Sequence, residues 1–304
     1  ALREEIVKRL PLNYGRYIEV FGGGGWVLFH KEPDKFEVYN DFNQNLVNLY
    51  RCVKEKPEEL IKWLEFSLDS RADFEYMTNR LKDYDLSDCQ RAAYYYSLIR
   101  YSYASGVDSF GSQPHDMWKN FPLIRAAHAR LRNTIIENKD FEKLIDQYDR
   151  PISFFYCDPP YYNTEDYYDG GGFGKDDHER LANTLCNIQG KFLLSYNDCP
   201  EIRELYQRPG ILIEGITRIN NIAQRYEGGK QYSELLISNY DTSERMKSYF
   251  QFSLFDREID VDKILQCRHS CPVHLRHLSD ADIPCPFFVH FCLLKILILF
   301  LAYV

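Results

Sequence analysis

The chain has 304 residues, of which 45% are hydrophobic and 27% are charged, the composition of a soluble globular protein with a full core. Its 37 basic and 45 acidic side chains give a net charge of -8, which argues against a surface coated with basic residues for nucleic acid. A local basic patch is still compatible with that sum. Nine scattered cysteines indicate reduced thiols rather than a disulfide framework, and no signal peptide opens the chain, so we expect a cytoplasmic protein.

The first predicted elements flank a run of glycines. Residues 16–21 have the pattern of a buried strand, glycines occupy positions 22–25, and residues 26–31 have a helical pattern. A second short strand at 36–40 leads to Asp41, 19 positions beyond Gly22. Glycines between a strand and a helix let the backbone approach a ligand and present amide donors. An acid after the next strand suits ribose hydroxyls, so this arrangement predicts a nucleoside site.

The glycine run departs from the dinucleotide-binding pattern GxGxxG, because the sixth position from Gly22 is Val27. The spacing therefore favours a nucleoside over a pyrophosphate dinucleotide. A tight strand–helix turn that holds no ligand is the alternative interpretation of the same run.

A block of helical patterns comes next, and it separates the second strand from the third. The patterns cover 44–56, 57–68, 71–84, 90–104 and 122–133, with an extended surface loop predicted at 105–121. From residue 134 onward strands and helices alternate, which predicts an α/β fold with a largely parallel sheet. The helical block at about 55–130 is then an insertion between the second and third strands.

The second candidate site is the sequence Asp158-Pro159-Pro160-Tyr161, which follows a predicted strand at 152–157 without a break. Ligands of open α/β sheets bind beyond the carboxyl ends of the strands. Two prolines keep this turn from closing into a helix and leave the Asp158 carboxylate and the Pro159 carbonyl as rigid acceptors. Two acceptors beside an aromatic ring suit a planar exocyclic amine. A proline-rich turn at a strand end is the alternative interpretation.

With these residues the chain resembles the Dam-like family of DNA adenine-N6 methyltransferases. The resemblance spans residues 1 to about 255 and is carried by segments 17–25, 38–51, 135–141, 154–162 and 190–198. It implies a Rossmann-like, S-adenosylmethionine-dependent methyltransferase sheet with a helical target-recognition insertion, in the family's alpha arrangement. The implied domains are a catalytic domain at 1–54 and 132–245, the insertion at 55–131, and a C-terminal tail at 246–304.

The resemblance also implies roles for individual residues. Those that would hold S-adenosylmethionine are Phe21, Gly22, Gly24, Asp41, Asp140, Phe141 and Asp158, with Asp41 at the ribose hydroxyls and Asp140 and Phe141 at the cofactor's adenine. Those that would hold and activate a flipped-out target adenine are Asp158, Pro159 and Tyr161. The implied reaction is direct transfer of a methyl group to the adenine N6, in a bacterial or phage-encoded enzyme that needs no metal.

Two departures from the family pattern stand out. Val20 occupies a position where the family usually has proline. Family members also carry a Gly-Gly-Lys segment ahead of the position of Ala1, and because the chain starts with Ala we expect an N-terminal piece of the cofactor site to be missing. The alternatives that remain are a methyltransferase acting on RNA or a protein amide, an inactive DNA-binding remnant, and a dinucleotide-dependent enzyme.

The insertion contains the predicted surface for double-stranded DNA. Residues 90–133 hold six basic and two acidic residues, although the chain as a whole is acidic. Basic side chains anchor phosphates and can read base edges. We expect DNA contacts from Arg91, Arg100, Lys119 and Arg125, with the loop at 105–121 reading bases or filling the gap left by the flipped base. A solvated charged face, with Tyr94 and Leu98 in the core, is the alternative.

The C-terminal tail does not belong to the predicted enzyme. Residues 251–255 resemble the short peptide that bacterial proteins insert into the sliding clamp, with Gln251, Leu254 and Phe255 as anchors. Cysteines and histidines at 267–277 match no standard zinc module. Residues 287–304 form an apolar run near the lower length limit for a membrane span. We interpret 246–304 as an appended, poorly ordered extension, with a membrane anchor as the alternative.

Overall fold

A mostly parallel sheet forms the centre of the protein in the computed structural model, which describes residues 2–103, 106–164, 173–219, 231–245 and 247. The seven strands within these residues are ordered β3-β2-β1-β4-β5-β7-β6. The first five in that order run parallel, and β7 is antiparallel to both of its neighbours. The strands are β1 Arg16–Glu19, β2 Glu37–Asn40, β3 Thr134–Glu137, β4 Ser153–Cys157, β5 Lys191–Asn197, β6 Leu212–Ile219 and β7 Gln231–Ser238. The predicted α/β fold with a largely parallel sheet is confirmed.

The helices fall close to their predicted positions because capping residues define their starts. Asn43 accepts hydrogen bonds from the amides of Asn45 and Leu46 at the start of α3, and the Ser87 hydroxyl starts α6 two residues earlier than predicted. The helices are α1 Leu2–Arg9, α2 Trp26–His30, α3 Gln44–Glu55, α4 Pro57–Leu64, α5 Arg71–Arg80, α6 Asp88–Tyr101, α7 Phe121–Leu131, α8 Phe141–Tyr148, α9 Lys175–Leu185 and α10 Pro200–Tyr206.

The sheet buries a separate hydrophobic cluster on each face, since successive strand residues point to opposite sides. On β1 and β4, Tyr17 and Phe154 face one cluster, whereas Ile18 and Phe155 face the other. The first cluster also holds most of the buried hydrophobic residues of α3 to α7, Leu98 among them, and the second holds those of α8 to α10. The insertion therefore shares a core with one face of the sheet. The predicted domain boundaries at residues 54 and 132 remain a prediction.

A buried ion-pair network ties the insertion to the sheet at the amino end of β2. Glu37 is 2% exposed, and its carboxylate oxygens lie 2.5 Å from Lys31 Nζ and 2.5 Å from Arg130 Nη1 of α7. Arg130 Nη2 also donates to the carbonyl of Leu28 at 2.7 Å. Because each charge has partners inside the protein, the network fixes α7 against β2 without leaving a charge unpaired.

The predicted loop at 105–121 is more ordered than an irregular surface loop. The Tyr103 amide donates to the Ser109 carbonyl at 2.8 Å, and the Gly111 amide donates to the Tyr101 carbonyl at 2.7 Å. The chain thus pairs back on the end of α6, and Met117–Asn120 forms a 3-10 helix. The backbone hydrogen bonds that the loop needs are made locally, which glycine and serine content alone does not reveal.

The predictions for the C-terminal tail fall almost entirely outside the described residues. The clamp-like peptide at 251–255, the cysteines and histidines at 267–277 and the apolar run at 287–304 all lie beyond the last described position. Within the described part of the chain, no helix is long and apolar enough to cross a membrane.

Candidate active site

The five parallel strands bring the predicted site residues to one edge of the sheet. Carboxyl ends of parallel strands meet at the same edge, and β1 lies between β2 and β4. The glycine run after β1 is therefore flanked by Asp41 after β2 and by Asp158 after β4. Asp140 follows β3 one strand further out on the other side of β2. Residues far apart in sequence thus form one continuous rim.

The glycine loop is held tightly against β2. The Gly22 amide donates to the Asn40 carbonyl at 2.7 Å, and the Tyr39 hydroxyl donates to the Gly23 carbonyl at 2.7 Å. A Cβ atom on Gly22 would lie 2.2 Å from a ring carbon of Tyr39. Only glycine fits at this position, and the close approach places the loop backbone directly on the neighbouring strand.

Asp41, which follows β2, holds the same loop through its carboxylate. One carboxylate oxygen accepts from the Gly23 amide at 2.8 Å, and the other accepts from the Asn43 amide at 2.8 Å. Burial raises the pKa of Asp41, and the backbone N–H groups oppose that rise. The predicted ribose-binding acid is therefore also a structural part of the glycine loop.

Glu19, which the sequence prediction passed over, is a buried acid at the end of β1. It is 1% exposed, and its Oε2 accepts from the Tyr17 hydroxyl at 2.6 Å and the Leu28 amide at 2.9 Å. Burial raises the pKa of Glu19 to about 8, and the nearby charge of Asp158 adds to the rise. The carboxyl is thus largely protonated at neutral pH. An acid inside the apolar strand pattern RYIEVF was the available signal.

The turn at Asp158 is anchored by the neighbouring strand β5. The hydroxyl of Ser195, a buried residue, donates to Asp158 Oδ1 at 2.7 Å. Two residues along β5, Asn197 Oδ1 accepts from the Tyr162 amide at 3.0 Å while its Nδ2 donates to the Tyr162 carbonyl at 3.3 Å. Ser195 and Asn197 share one side of β5 because strand residues alternate. The predictions named neither residue, although both lie in the family-like segment 190–198.

Aromatic residues near the predicted target site form a connected group beside this turn. The rings of Tyr161 and Tyr196 have centroids 6.1 Å apart, and Tyr162 lies 5.1 Å from the imidazole of His178. His178 is 1% exposed, and its Nδ1 lies 2.5 Å from the Tyr196 hydroxyl. These contacts hold the turn to α9 and β5 together. Cys157 precedes the turn inside the core, where burial raises the pKa of its thiol well above the ordinary value, so it is not poised as a nucleophile.

The predicted adenine site of the cofactor contains three packed phenylalanines. The ring of Phe21 lies 5.7 Å from Phe141 and 5.6 Å from Phe173, and Phe141 and Phe173 are 5.7 Å apart. Asp140 precedes Phe141 and caps α8 through the amide of Glu142. Phe173 was not predicted, because it stands alone in a glycine-rich stretch far from the other two residues.

Two of the four predicted DNA-binding residues are engaged inside the insertion. Arg91 Nη1 donates to the Leu81 carbonyl at 2.8 Å, and its Nη2 donates to the Asp83 carbonyl. Arg100 Nε lies 3.2 Å from His115 Nε2, where it joins α6 to the loop at 105–121. Both side chains therefore make structural contacts within the insertion, and their contact with DNA stays a prediction.

The other two are at the surface. The Lys119 side chain is 81% exposed, next to exposed Trp118, and its ammonium lies 3.5 Å from Asp116. Arg125 makes a two-pronged contact with Glu58 at 2.7 and 2.8 Å. Lys119 is thus the more available of the two for a phosphate.

A Rossmann-like sheet with a glycine loop after β1 and an Asp-Pro-Pro-Tyr turn after β4 defines the class of this protein as a methyltransferase. The chain belongs to the D12 class of N6 adenine-specific DNA methyltransferases, whose sequence model matches residues 1–226. The family resemblance deduced from the motifs is confirmed, and the dinucleotide-dependent alternative is wrong.

Individual relatives agree with that assignment. The chain is 29% identical over 256 residues to Type II methyltransferase M1.LlaDCHI of Lactococcus lactis subsp. cremoris, covering 76% of this chain and 88% of that protein. It is 30% identical over 280 residues to Type II methyltransferase M.MjaIII of Methanocaldococcus jannaschii, covering 79% and 93%. A DNA adenine methylase of Vibrio cholerae is 26% identical over 260 residues, covering 78% and 91%.

Proposed function

We propose that this protein transfers a methyl group from S-adenosylmethionine to the N6 atom of a flipped-out adenine at a specific site in double-stranded DNA. The observation that carries the proposal is the position of the Asp158 carboxylate. Ser195 holds this carboxylate at 2.7 Å. Asp158 follows β4, which pairs with β1, the strand that leads into the glycine loop. An oriented acceptor is thereby placed one strand away from the predicted cofactor site. The membership of the chain in an adenine-specific DNA family favours DNA over RNA or a protein amide.

The residues at the rim fit S-adenosylmethionine. The tight glycine loop ends at α2, and its Gly23 is partly exposed while the other three glycines are buried. Asp41 offers a carboxylate at the position suited to ribose hydroxyls. Asp140 and Phe141 would hold the adenine ring of the cofactor, with Phe21 as a further apolar wall. When bound there, S-adenosylmethionine supplies an electrophilic methyl group on a positively charged sulfonium.

Asp158 and Pro159 would activate the adenine amine. Its nitrogen is a poor nucleophile because the lone pair is delocalised into the ring. Hydrogen bonds from its two protons to the Asp158 carboxylate and the Pro159 carbonyl favour a pyramidal nitrogen whose lone pair points out of the plane of the ring. As the new bond between this nitrogen and the methyl group forms, the bond from the methyl group to sulfur would break. S-adenosylhomocysteine would leave as a neutral thioether, and the nitrogen would lose one proton to water through the Asp158 carboxylate. A bond to a charged acceptor contributes about 1.5–3 kcal/mol, so alignment and electrostatic preorganisation supply the rest.

The adenine must leave the duplex to reach this turn, which costs a few kcal/mol. Stacking on the ring of Tyr161 offsets part of that cost, at about 1–3 kcal/mol per base. The ring of Tyr161 packs against Tyr196, and the ring of Tyr162 packs against His178, which also contacts Tyr196. We propose that phosphates are held by Lys119 and Arg125, with Arg91 and Arg100 shaping the surface around the loop at 105–121.

The test replaces the proposed acceptor. Asp158→Ala should abolish methyl transfer to duplex DNA while the circular dichroism spectrum and thermal midpoint remain those of the original protein. Asp83→Ala removes an acid that pairs with Arg80 on the insertion surface and serves as the control, with full activity expected. Undiminished turnover by Asp158→Ala would contradict the proposed mechanism.

Base-resolved mapping of adenine methylation in host DNA after expression tests the reaction and gives the target sequence together. N6-methyladenine at one recurring sequence is the expected result. No DNA methylation, combined with no binding of S-adenosylmethionine by calorimetry, would favour the inactive DNA-binding remnant instead. Methylation confined to RNA would overturn the choice of substrate.

A further inference from the structure

A two-pronged ion pair joins α9 to the predicted adenine site of the cofactor. Arg180 Nη1 lies 2.9 Å from Asp140 Oδ1, and Arg180 Nη2 lies 2.8 Å from Asp140 Oδ2. The same guanidinium is held from its other sides by Asp177 at 2.8 Å and Glu142 at 3.0 Å. Four bonds from one planar group leave both the guanidinium and the Asp140 carboxylate in a single orientation.

The guanidinium also covers Phe141. Its central carbon lies 4.0 Å from the centroid of the Phe141 ring, close enough for a cation–π contact. Phe141 in turn packs on Phe21 and Phe173. Arg180 therefore touches both residues that the proposed function assigns to the adenine ring of the cofactor.

Arg180 also affects the ionisation of Asp140. Its hydrogen bonds hold the pKa of Asp140 below the ordinary value, against a smaller opposing effect of burial. An ionised carboxylate only accepts hydrogen bonds, and each oxygen has more than one acceptor direction. Asp140 Oδ1 already accepts from Arg180 and from the Glu142 amide at 3.1 Å, so Oδ2, which accepts from Arg180 at 2.8 Å, is the atom that can take a further donor. An amino group is therefore favoured at Oδ2 and a carbonyl is disfavoured there.

We propose that Arg180 is a positioning residue that makes the cofactor site selective for an adenine ring, by presenting Asp140 as a fixed acceptor for the exocyclic amino group. The proposal rests on the proposed function, because it assumes that Asp140 and Phe141 hold the cofactor. A lysine cannot take over this role, since one ammonium group provides neither the paired bonds nor the planar cover on Phe141.

The test compares two ligands that differ only at the base. Binding of S-adenosylhomocysteine and of its inosine counterpart, which has a carbonyl in place of the amino group, is measured by calorimetry on the full chain. The original protein should prefer the adenine compound. Arg180→Met and Arg180→Lys should both reduce that preference by roughly tenfold or more, because a misplaced acceptor no longer discriminates. The loss should fall mainly on the adenine compound.

Two further variants make the result specific. Arg203→Met removes a similar two-pronged pair with Asp198 on α10 and should leave the preference unchanged. Asp140→Asn introduces a donor and should shift the preference towards the inosine compound. An equal loss for both ligands in Arg180→Met, or an unchanged preference, would overturn the role of Arg180 alone. Failure of the original protein to bind either ligand would instead overturn the proposed use of the cofactor.

Discussion

The hydroxyl of Ser195 on β5 lies 2.7 Å from a carboxylate oxygen of Asp158, the residue that follows β4. Ser195 is fully buried, whereas Asp158 is exposed. A rigid group inside the sheet thus orients a carboxylate at the exposed edge of the sheet. Hydrogen bonds that orient a functional side chain in this way determine whether a reacting group is held in the productive geometry.

Loss of that hydroxyl should slow methyl transfer more than it weakens cofactor binding. Ser195→Ala removes one bond to a charged group, so we expect kcat to fall roughly 10- to 100-fold. The KM for S-adenosylmethionine should change less, because the glycine loop and Asp41 follow β1 and β2, whereas Ser195 lies on β5. Ser153→Ala removes another buried strand hydroxyl, one bonded to the Tyr148 carbonyl, and serves as the control. A fall in kcat as large in Ser153→Ala would mean that the effect is structural.

The stability of the protein should depend on the protonation of Glu19. Burial raises its pKa from an ordinary 4.5 to about 8, so between these values the folded state binds a proton that the unfolded state has lost. The free energy of unfolding therefore falls as pH rises through this window, by up to about 1.4 kcal/mol per pH unit for one proton. Glu19→Gln should remove that slope in urea unfolding at pH 5.5, 7 and 8.5. Parallel curves for the two proteins would contradict the assignment.

The buried network around Glu37 should be a large contributor to stability. Burial alone would raise the pKa of Glu37, but Arg130 and Lys31 outweigh it and hold the pKa below the ordinary value. Glu37→Gln leaves Arg130 without its carboxylate and Lys31 with Asp34 alone, so we expect a loss of about 3–5 kcal/mol in the free energy of unfolding. Arg125→Met removes an exposed pair on the same helix α7 and should cause no measurable change. Equal losses of stability in the two variants would contradict the expectation that the buried ion pairs contribute more than the exposed one.

Substitutions of Lys119 and of Arg91 should have different effects, the first on DNA binding and the second on stability. Lys119→Ala should weaken binding to all DNA sequences alike and lower the dependence of log K on log salt by about one unit. Its unfolding should not change, because the side chain is 81% exposed. Arg91→Ala removes donors to the carbonyls of Leu81 and Asp83, so it should lower the unfolding midpoint instead. Salt-titrated binding and thermal melts of both variants check the distinction, and an unchanged salt slope in Lys119→Ala would count against it.

Much of the fold was predictable because its signals are local. Apolar runs predicted β1 to β7, and helical periodicity predicted the starts of the helices from α3 to α7 to within two residues. The pairing of Tyr103 with Ser109 was not predictable, since glycine and serine content is the same in an ordered and an irregular loop. Gly22 was recognised as part of a site, but the reason that only glycine fits there is the ring of Tyr39 on another strand.

The sequence by itself determined the α/β class, the glycine loop, the Asp-Pro-Pro-Tyr turn and the methyltransferase family. Turns and strand patterns depend on a few residues that are neighbours in the sequence. Only the tertiary structure decided that Ser195 orients Asp158 and that Arg180 holds Asp140. It also decided that Arg91 bonds within the insertion while Lys119 stays exposed. Such contacts depend on which strands and helices become neighbours, and the order β3-β2-β1-β4-β5 arises from packing of the whole chain on both faces of one sheet.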